Sequence, residues 1–420
     1  MDKKYGFIVI GGGAAGLMAA IEASSRGIKT AILEKNSKLG RKILISGAGQ
    51  CNITNTGTVN DFLKKYGKNS KFLRNSLYNF TPTALVDFYI NNGLNLYTRN
   101  DGKIFPESKK AGDVVSLLYD LCRKNSVDIF TENEVISIEK NNDFVVETHG
   151  YLVETHGRAS QRGNQNIFYA KNILISTGGI TYPHTGSTGD GYKFAKKFGH
   201  TIIETKPALS PIFIENYQFK EISGISFKNI EVMILNENNK KIASLKNDLL
   251  LTHRNLSGPV ILNISRYAQV GYYLQINFVN IGINEMREEF LHSQQENGRR
   301  ALKNYLKKYN LPSRFISKVL NIINIDENIK IANINKKMRE SLLKFLTEYK
   351  NKIYKISSSG MTTAGGINLK EINPKTMESK LVRGLYFAGE VLDIDGDTGG
   401  YSIQAAASMA VLAVKNIKKS

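Results

Sequence analysis

The chain has 420 residues, 41% of them hydrophobic, and 57 Lys and Arg against 37 Asp and Glu give a formal net charge of +20. That length can bury a sizeable core in two or three domains, the apolar content excludes a disordered chain, and no apolar run reaches the roughly 18 residues of a membrane-spanning helix. Cys51 and Cys122 form no Cys-x-x-Cys pair, so a dithiol redox centre is excluded, and such sparing use of cysteine suits a reducing cytoplasm.

Phe7-Ile8-Val9-Ile10 reads as a short buried parallel strand. Gly11, Gly13 and Gly16 follow in G-x-G-x-x-G spacing, and an alanine-rich helical pattern runs from Ala14 to about Arg26. The first glycine permits the tight turn, the second lets the backbone approach a pyrophosphate, and the third packs helix against strand. The open N–H groups at Ala14 and Ala15 and the positive helix end then hold phosphates. A second strand, Thr30 to Leu33, ends at Glu34, about twenty residues past the glycines, where a ribose hydroxyl needs an acceptor. Met1-Asp2-Lys3-Lys4 before an apolar run imitates a signal peptide. The glycines interrupt that run and the strand needs it, so export is not expected.

Leu39 to Asn55 (LGRKILISGAGQCNITN) is rich in glycine, small polar residues and the basic pair Arg41-Lys42. It is expected to pass the phosphates and then the reacting ring, with N–H donors at Gly47, Ala48 and Gly49. Cys51 within it is either a small buried hydrophobe or a catalytic thiol. Residues 60 to 130 read as mostly helical, with Thr81 as N-cap before Pro82 at the first helical position and a second helix over Lys110 to Lys124. Asn133 to Glu139 and Asp143 to Glu147 read as strands. Val-Glu-Thr-His-Gly occurs at 146–150 and again at 153–157, which suggests an inserted, partly duplicated surface hairpin. His149 and His156 stand seven apart on this polar repeat, and no metal site is expected there.

Ile173 to Gly179 reads as a buried strand ending in small residues, suited to close passage over a cofactor. Tyr182 to His200 forms a glycine turn, and Asp190-Gly191 opens a helix to Phe198. No second G-x-G-x-x-G follows a strand, so one dinucleotide has a permanent home and a nicotinamide donor would visit without a Rossmann domain of its own. Residues 202 to 280 carry alternating apolar runs, expected as antiparallel strands of a sheet or small barrel. Within them LLLTHRNLSGP, residues 249 to 259, is a loop bearing His253 and Arg254. Residues 285 to 350 turn helical and basic, with no acid among Arg299, Arg300, Lys303, Lys307, Lys308, Arg314 and Lys318. That face is either solvated or a contact for phosphates. Gly360 to Ile367 reads as a small-residue loop, Leu385 to Glu390 as a strand ending in glycine and an acid, and Thr398 to Tyr401 as the start of an alanine-rich last helix. That helix start can stabilise negative charge on an electron-rich ring.

Five blocks, LGRKILISGAGQCNITN, ISTGGITYPHTGSTGDGYKFAKKFGH, LTHRNLSGP, GMTTAGGI and LYFAGEVLDIDGDTGGYSIQAA, resemble the BaiN/RdsA-like NAD(P)/FAD-dependent oxidoreductases. The resemblance spans nearly the whole chain apart from 146–165. The family's Gly-Gly-Gly-Arg-Cys-Asn is here Gly47-Ala48-Gly49-Gln50-Cys51-Asn52, which puts one polar or phosphate contact in doubt.

The resemblance implies an α/β fold: a Rossmann-type FAD-binding domain built from both chain ends (1–199 and 353–420), a β-barrel-like insertion (200–283) and a nested helical subdomain (284–352). The expected cofactor contacts combine the fingerprint residues and Glu34 with Lys35, Arg41, Lys42, Gly47, Ala48, Gly49 and Asn52. Further along they take in Val135, Thr177, Gly178, Gly179, Gly389, Glu390, Gly400, Tyr401 and Ser402. FAD is the implied resident cofactor and NAD(P)H the transient donor, with NADH and NADPH both open. The implied reaction is reduction of an activated C=C bond, in uridine of ribosomal RNA or its precursor or in a small steroid-like enone. An RNA-binding or assembly flavoprotein with structural FAD is the other class. The oligomeric state is open. Cys51 and His253 are the candidate proton donors, with water as the alternative. Arg254 beside His253 disfavours imidazolium, so that ring is expected to be neutral, or simply to cap the Ser257-Gly258-Pro259 turn.

Overall fold

The computed structural model describes residues 3–150 and 165–417. The chain divides into two compact units, one made of 1–207 with 362–420 and the other of 208–361.

The first unit is built on a seven-stranded sheet. Its parallel part runs Asp128–Phe130, Thr30–Leu33, Lys3–Ile10, Gln165–Ile175 and Leu385–Phe387. Phe7, Ile8, Val9 and Ile10 are all buried, as are Ile173, Leu174 and Ile175. Such continuous apolar runs are what a parallel sheet covered on both faces requires. Burial of each large side chain contributes about 1.5–3 kcal/mol. The long strand Gln165–Ile175 changes partner along its length. Its first half pairs antiparallel with Phe144–Gly150, which pairs in turn with Asn133–Lys140, while Ile173–Ile175 pairs with Leu385–Phe387. The first Val-Glu-Thr-His-Gly copy therefore lies in a ladder strand, with His149 exposed; the second copy and His156 lie outside the described residues.

Helix Ala14–Ser25 packs against the last helix, Tyr401–Lys415, and alanines on both permit the close approach. The Arg26 guanidinium donates to the carbonyls of Val414 and Ile417, satisfying groups that the end of the last helix leaves open. Thr81 caps helix Pro82–Asn91 by accepting the Ala84 N–H at 3.1 Å. Two local expectations are corrected. The mostly helical stretch 60–130 also holds strands Leu96–Thr98 and Lys103–Pro106, which join Thr54–Asn55 in a three-stranded sheet. The small-residue loop expected at 360–367 is instead strand Thr362–Ile367, because Ile202–Ala208 offers it a free edge.

The second unit is a closed six-stranded barrel with helices packed on it. Strand Tyr349–Ile356 closes the barrel by pairing with both Ile212–Ile214 and Tyr273–Asn277. The chain thus remains in this unit past 353, where the sequence suggested a return. Barrel and helices share one core, in which Phe219, Phe227 and Phe278 from the barrel side meet Phe315 of helix Ser313–Ile322. The helical segment is therefore part of the barrel's hydrophobic core. Among the described residues no helix is long and apolar enough to cross a membrane.

Candidate active site

The first glycine turn is arranged around a buried acid. Gly11 has φ +98°, open to glycine and costly for other residues. The Gly12 N–H donates to Glu34 Oε2 at 2.8 Å, while Asn36 donates to Glu34 Oε1 from its backbone N–H at 2.9 Å and from Nδ2 at 2.5 Å. A carboxylate offers about four acceptor positions. Three are taken, and one remains for a ligand hydroxyl. Asn133 N–H donates to the Glu34 carbonyl at 3.0 Å, which brings the start of the Val135 strand to the same place.

Gly13 and Gly16 do opposite things. A Cβ at Gly16 would lie 2.0 Å from the Gly11 carbonyl oxygen, so that glycine is a packing requirement. A Cβ at Gly13 would meet no atom within 4 Å. Gly13 is also the N-cap of helix Ala14–Ser25, which has neither a side-chain cap nor an acid in its first turn. The result is an open cradle lined by unpaired helical N–H groups, suited to a pyrophosphate.

The ends of the neighbouring strands converge here. A Cβ at Gly11 would lie 3.0 Å from Thr177 Cα, and one at Gly389 would lie 3.2 Å from Ala15 Cβ. The Thr177 hydroxyl is buried without a protein partner. Gly178 has φ +76° beside Ser187. Lys42 Nζ donates to Glu390 Oε2 at 2.8 Å and to Thr181 Oγ1 at 2.9 Å, and Glu390 Oε1 accepts the Thr363 N–H at 2.8 Å. A Cβ at Gly179 would strike Thr363 Oγ1 at 2.1 Å, which keeps this knot tight. Lys35 pairs with Asp190 and donates to Thr188 Oγ1 at 2.5 Å, and exposed Arg41 donates to Asn36 Oδ1 at 2.7 Å.

The loop after helix Arg41–Ile45 takes a left-handed course: Gly47, Ala48 and Gly49 have φ of +55°, +56° and +84° and are exposed. Asn52, with its amide oriented to satisfy its neighbours, donates to Thr54 O and Ile104 O and accepts the Gly400 N–H at 3.0 Å. A Cβ at Gly400 would lie 2.6 Å from Thr54 Cα. This pair of loops seats the start of the last helix, where Tyr401 is buried and Ser402 exposed.

The two proton-donor candidates fall in very different settings. Cys51 is 0% exposed in the core of the first unit, and burial pushes its thiol up to about 11, against the contrary pull of a hydrogen bond with Ser46. Its burial speaks for the packing alternative. His253 belongs to the second unit, on an exposed turn between strands Lys241–Leu251 and Leu256–Ser257. Sequence reasoning missed Gly12, Asn36, Thr181 and Thr363. Gly12 and Asn36 flank the motif residues and were accessible from spacing; Thr181 and Thr363 carry no local signal, since their partner Glu390 is remote in sequence.

Residues 5–416 match the family described as HI0933-like protein Rossmann domain. A curated Escherichia coli (strain K12) protein named "Ribosomal RNA dihydrouridine synthase" is 30% identical over 415 residues, 97% of this chain and 96% of that protein. A Haemophilus influenzae protein of the same name is 31% identical over 418 residues, 98% of each. A Clostridium scindens "3-dehydro-bile acid delta(4,6)-reductase" is 28% identical over 417 residues, 96% of this chain and 97% of that protein.

Proposed function

Since the chain belongs to the HI0933-like Rossmann-domain family, we propose that it reduces the C5=C6 bond of uridine in ribosomal RNA to give dihydrouridine, with NAD(P)H as electron donor. The chain is an FAD-dependent oxidoreductase. The observation that carries the RNA reading is end-to-end similarity to two proteins named for this reaction. The net charge of +20, which favours a polyanionic substrate, supports it.

The residues present fit FAD. The open space at Gly13 and the first N–H groups of helix Ala14–Ser25 would receive the pyrophosphate, and the remaining acceptor position on Glu34 a ribose hydroxyl. The buried Thr177 hydroxyl is a further group available to the cofactor. Bound FAD supplies the hydride chemistry, carrying two electrons from NAD(P)H to the alkene. Uracil C5=C6 is conjugated to the C4 carbonyl, so a hydride at C6 and a proton at C5 complete the reduction. We assign the proton to water rather than to Cys51, whose sealed thiol holds its proton tightly. A ribosomal RNA substrate places the protein in the cytoplasm.

The second reading is reduction of a small enone, favoured by the bile acid reductase relative. A 3-oxo-Δ4 steroid presents the same conjugated alkene, so one chemistry serves both. Mass spectrometry of ribosomal RNA nucleosides from a deletion strain separates them. Loss of one dihydrouridine, restored by the gene, is expected. Unchanged dihydrouridine together with NAD(P)H-driven enone reduction by the purified protein would establish the second reading. Absence of any NAD(P)H-driven flavin bleaching, with and without RNA, would leave FAD structural.

A further inference from the structure

In the second unit, residues 297–325 contain no Asp or Glu. Helices Leu302–Leu306 and Ser313–Ile322 turn Leu302, Leu306, Phe315 and Val319 into the core, so their polar sides face solvent. The cations of this stretch fall into two classes. Lys303, Lys308 and Lys318 are neutralised by Glu327, Glu289 and Glu221 at 2.9, 2.6 and 2.6 Å. Arg299, Arg300, Lys307 and Arg314 are exposed and form no ion pair among the described residues. Arg300 and Arg314 each spend a bond on a backbone carbonyl, of Asn304 at 2.8 Å and Glu221 at 3.1 Å, which fixes their direction and leaves most of the five guanidinium N–H groups free.

Beside Arg314 lies a groove of 460 Å³ lined also by Ser313, Lys303, Ile222, Glu221, which is paired with Lys318, and Ser317, whose hydroxyl donates to Glu327 at 2.6 Å. Hydroxyls and planar guanidinium groups are the donors that phosphate oxygens take. The nearby aromatic rings are turned inward: Tyr305 is buried, and the Tyr309 hydroxyl donates to Glu289 at 2.8 Å. The face thus offers charge and hydrogen bonds but no platform on which a base could stack.

We propose that this face of the second unit grips the phosphodiester backbone of the substrate RNA through Arg299, Arg300, Lys307 and Arg314, without reading its sequence. The proposal rests on the RNA reading above and adds the surface that holds the substrate. It accounts for unneutralised cations crowded into one short stretch, where self-repulsion is unfavourable unless a polyanion relieves it.

The test uses the full-length holoprotein and two RNA probes, unmodified ribosomal RNA transcript and a 20-nucleotide polyuridine, with anionic phospholipid vesicles as a control surface. Binding is measured across a salt series for wild type and for the combined variant Arg299→Gln, Arg300→Gln, Lys307→Gln, Arg314→Gln. Each lost phosphate contact flattens the log K against log salt slope by about 0.7 to 0.9, so loss of all four should lower it by about 3 and weaken binding to both probes at least ~10-fold at physiological salt. The flavin spectrum and NAD(P)H-driven bleaching should be unchanged, which also reports correct folding. A Lys version at the three arginine positions should restore most of the affinity, because charge is what is claimed. If wild type binds RNA and the Gln variant binds with equal affinity and slope, the surface assignment is overturned and the RNA reading stands. If wild type binds neither probe while reducing an enone, the RNA reading fails and this proposal with it. Loss of affinity for anionic phospholipid vesicles alone, with RNA binding intact, would make the face a membrane contact and overturn the assignment.

Discussion

The Thr54 hydroxyl donates a 2.7 Å hydrogen bond to Gln404 Oε1, joining residues 350 apart in the chain. Both side chains are 0% exposed. Gln404 Nε2 donates onward to Phe80 O and Ser408 Oγ, so the amide is fully engaged. Thr54→Val keeps the shape and leaves Gln404 Oε1 buried without a donor, which costs about 1–3 kcal/mol. Chemical denaturation of the holoprotein should show that loss, with FAD released at lower denaturant than in wild type. An unchanged midpoint would mean that the bond contributes nothing to joining the chain ends.

Gly13 and Gly16 predict opposite failures. Gly13→Val has room for its side chain and an ordinary φ of −84°, so the protein should fold with native circular dichroism yet purify colourless. Gly16→Ala drives a methyl into the Gly11 carbonyl and should yield little soluble protein. A yellow Gly13→Val protein would show that the pyrophosphate lies elsewhere.

Ala48 stands in a left-handed conformation with φ +56°, between Gly47 and Gly49, which share it. An alanine there is strained by about 1 kcal/mol. Ala48→Gly should therefore stabilise the protein by up to about 1 kcal/mol, measured by thermal unfolding at fixed FAD concentration. Destabilisation would mean that the alanine methyl makes a compensating contact with the bound cofactor.

His200 forms a Ser-His-acid geometry that is structural. Its ring nitrogens meet Glu371 Oε2 at 3.2 Å and Ser379 Oγ at 2.9 Å, but Ser379 Oγ already accepts the N–H groups of Leu381 and Val382 at 3.0 and 2.9 Å. The hydroxyl proton is thus directed at His200, and the oxygen is no free nucleophile. Burial lowers the imidazole pKa, with Glu371 pulling the other way. The folded value lies below the unfolded value of about 6.5. The unfolded chain therefore binds the proton first, and stability, complete above about pH 6.5, is lost as pH falls below it, by at most about 1.4 kcal/mol per pH unit from this group. His200→Gln should flatten the stability profile between pH 5 and 7. A slope identical to wild type would assign the acid sensitivity to other groups.

Cys51→Ala removes a buried sulfur and should cost about 1 kcal/mol of stability while leaving turnover within about twofold of wild type. Loss of a general acid would instead lower turnover by about a hundredfold with flavin reduction intact. The second outcome would return Cys51 to the chemistry and imply that substrate binding opens its pocket.

The sequence by itself determined the nucleotide-binding half of the molecule. Strand, three glycines, helix, strand and Glu34 lie within the first 34 residues, and their roles follow from local geometry: a positive φ at Gly11, open space at Gly13, helix contact at Gly16, and the reach of an acid at the end of the next strand. Buried strands announced themselves as unbroken apolar runs for the same local reason. Tertiary structure decided what depends on partners far along the chain. Lys42 and Glu390 meet across 348 residues, and strand Thr362–Ile367, whose glycines and threonines read as a loop, exists because Ile202–Ala208 supplies its hydrogen bonds. For Cys51 the pattern allows both a buried hydrophobe and a catalytic thiol, since burial belongs to the packing around a side chain and is decided only in three dimensions. The basic stretch after Asn297 was legible as charge. Only the fold separated cations neutralised by Glu221, Glu289 and Glu327 from those left open to a partner, because ion pairing requires groups within a few ångströms in space.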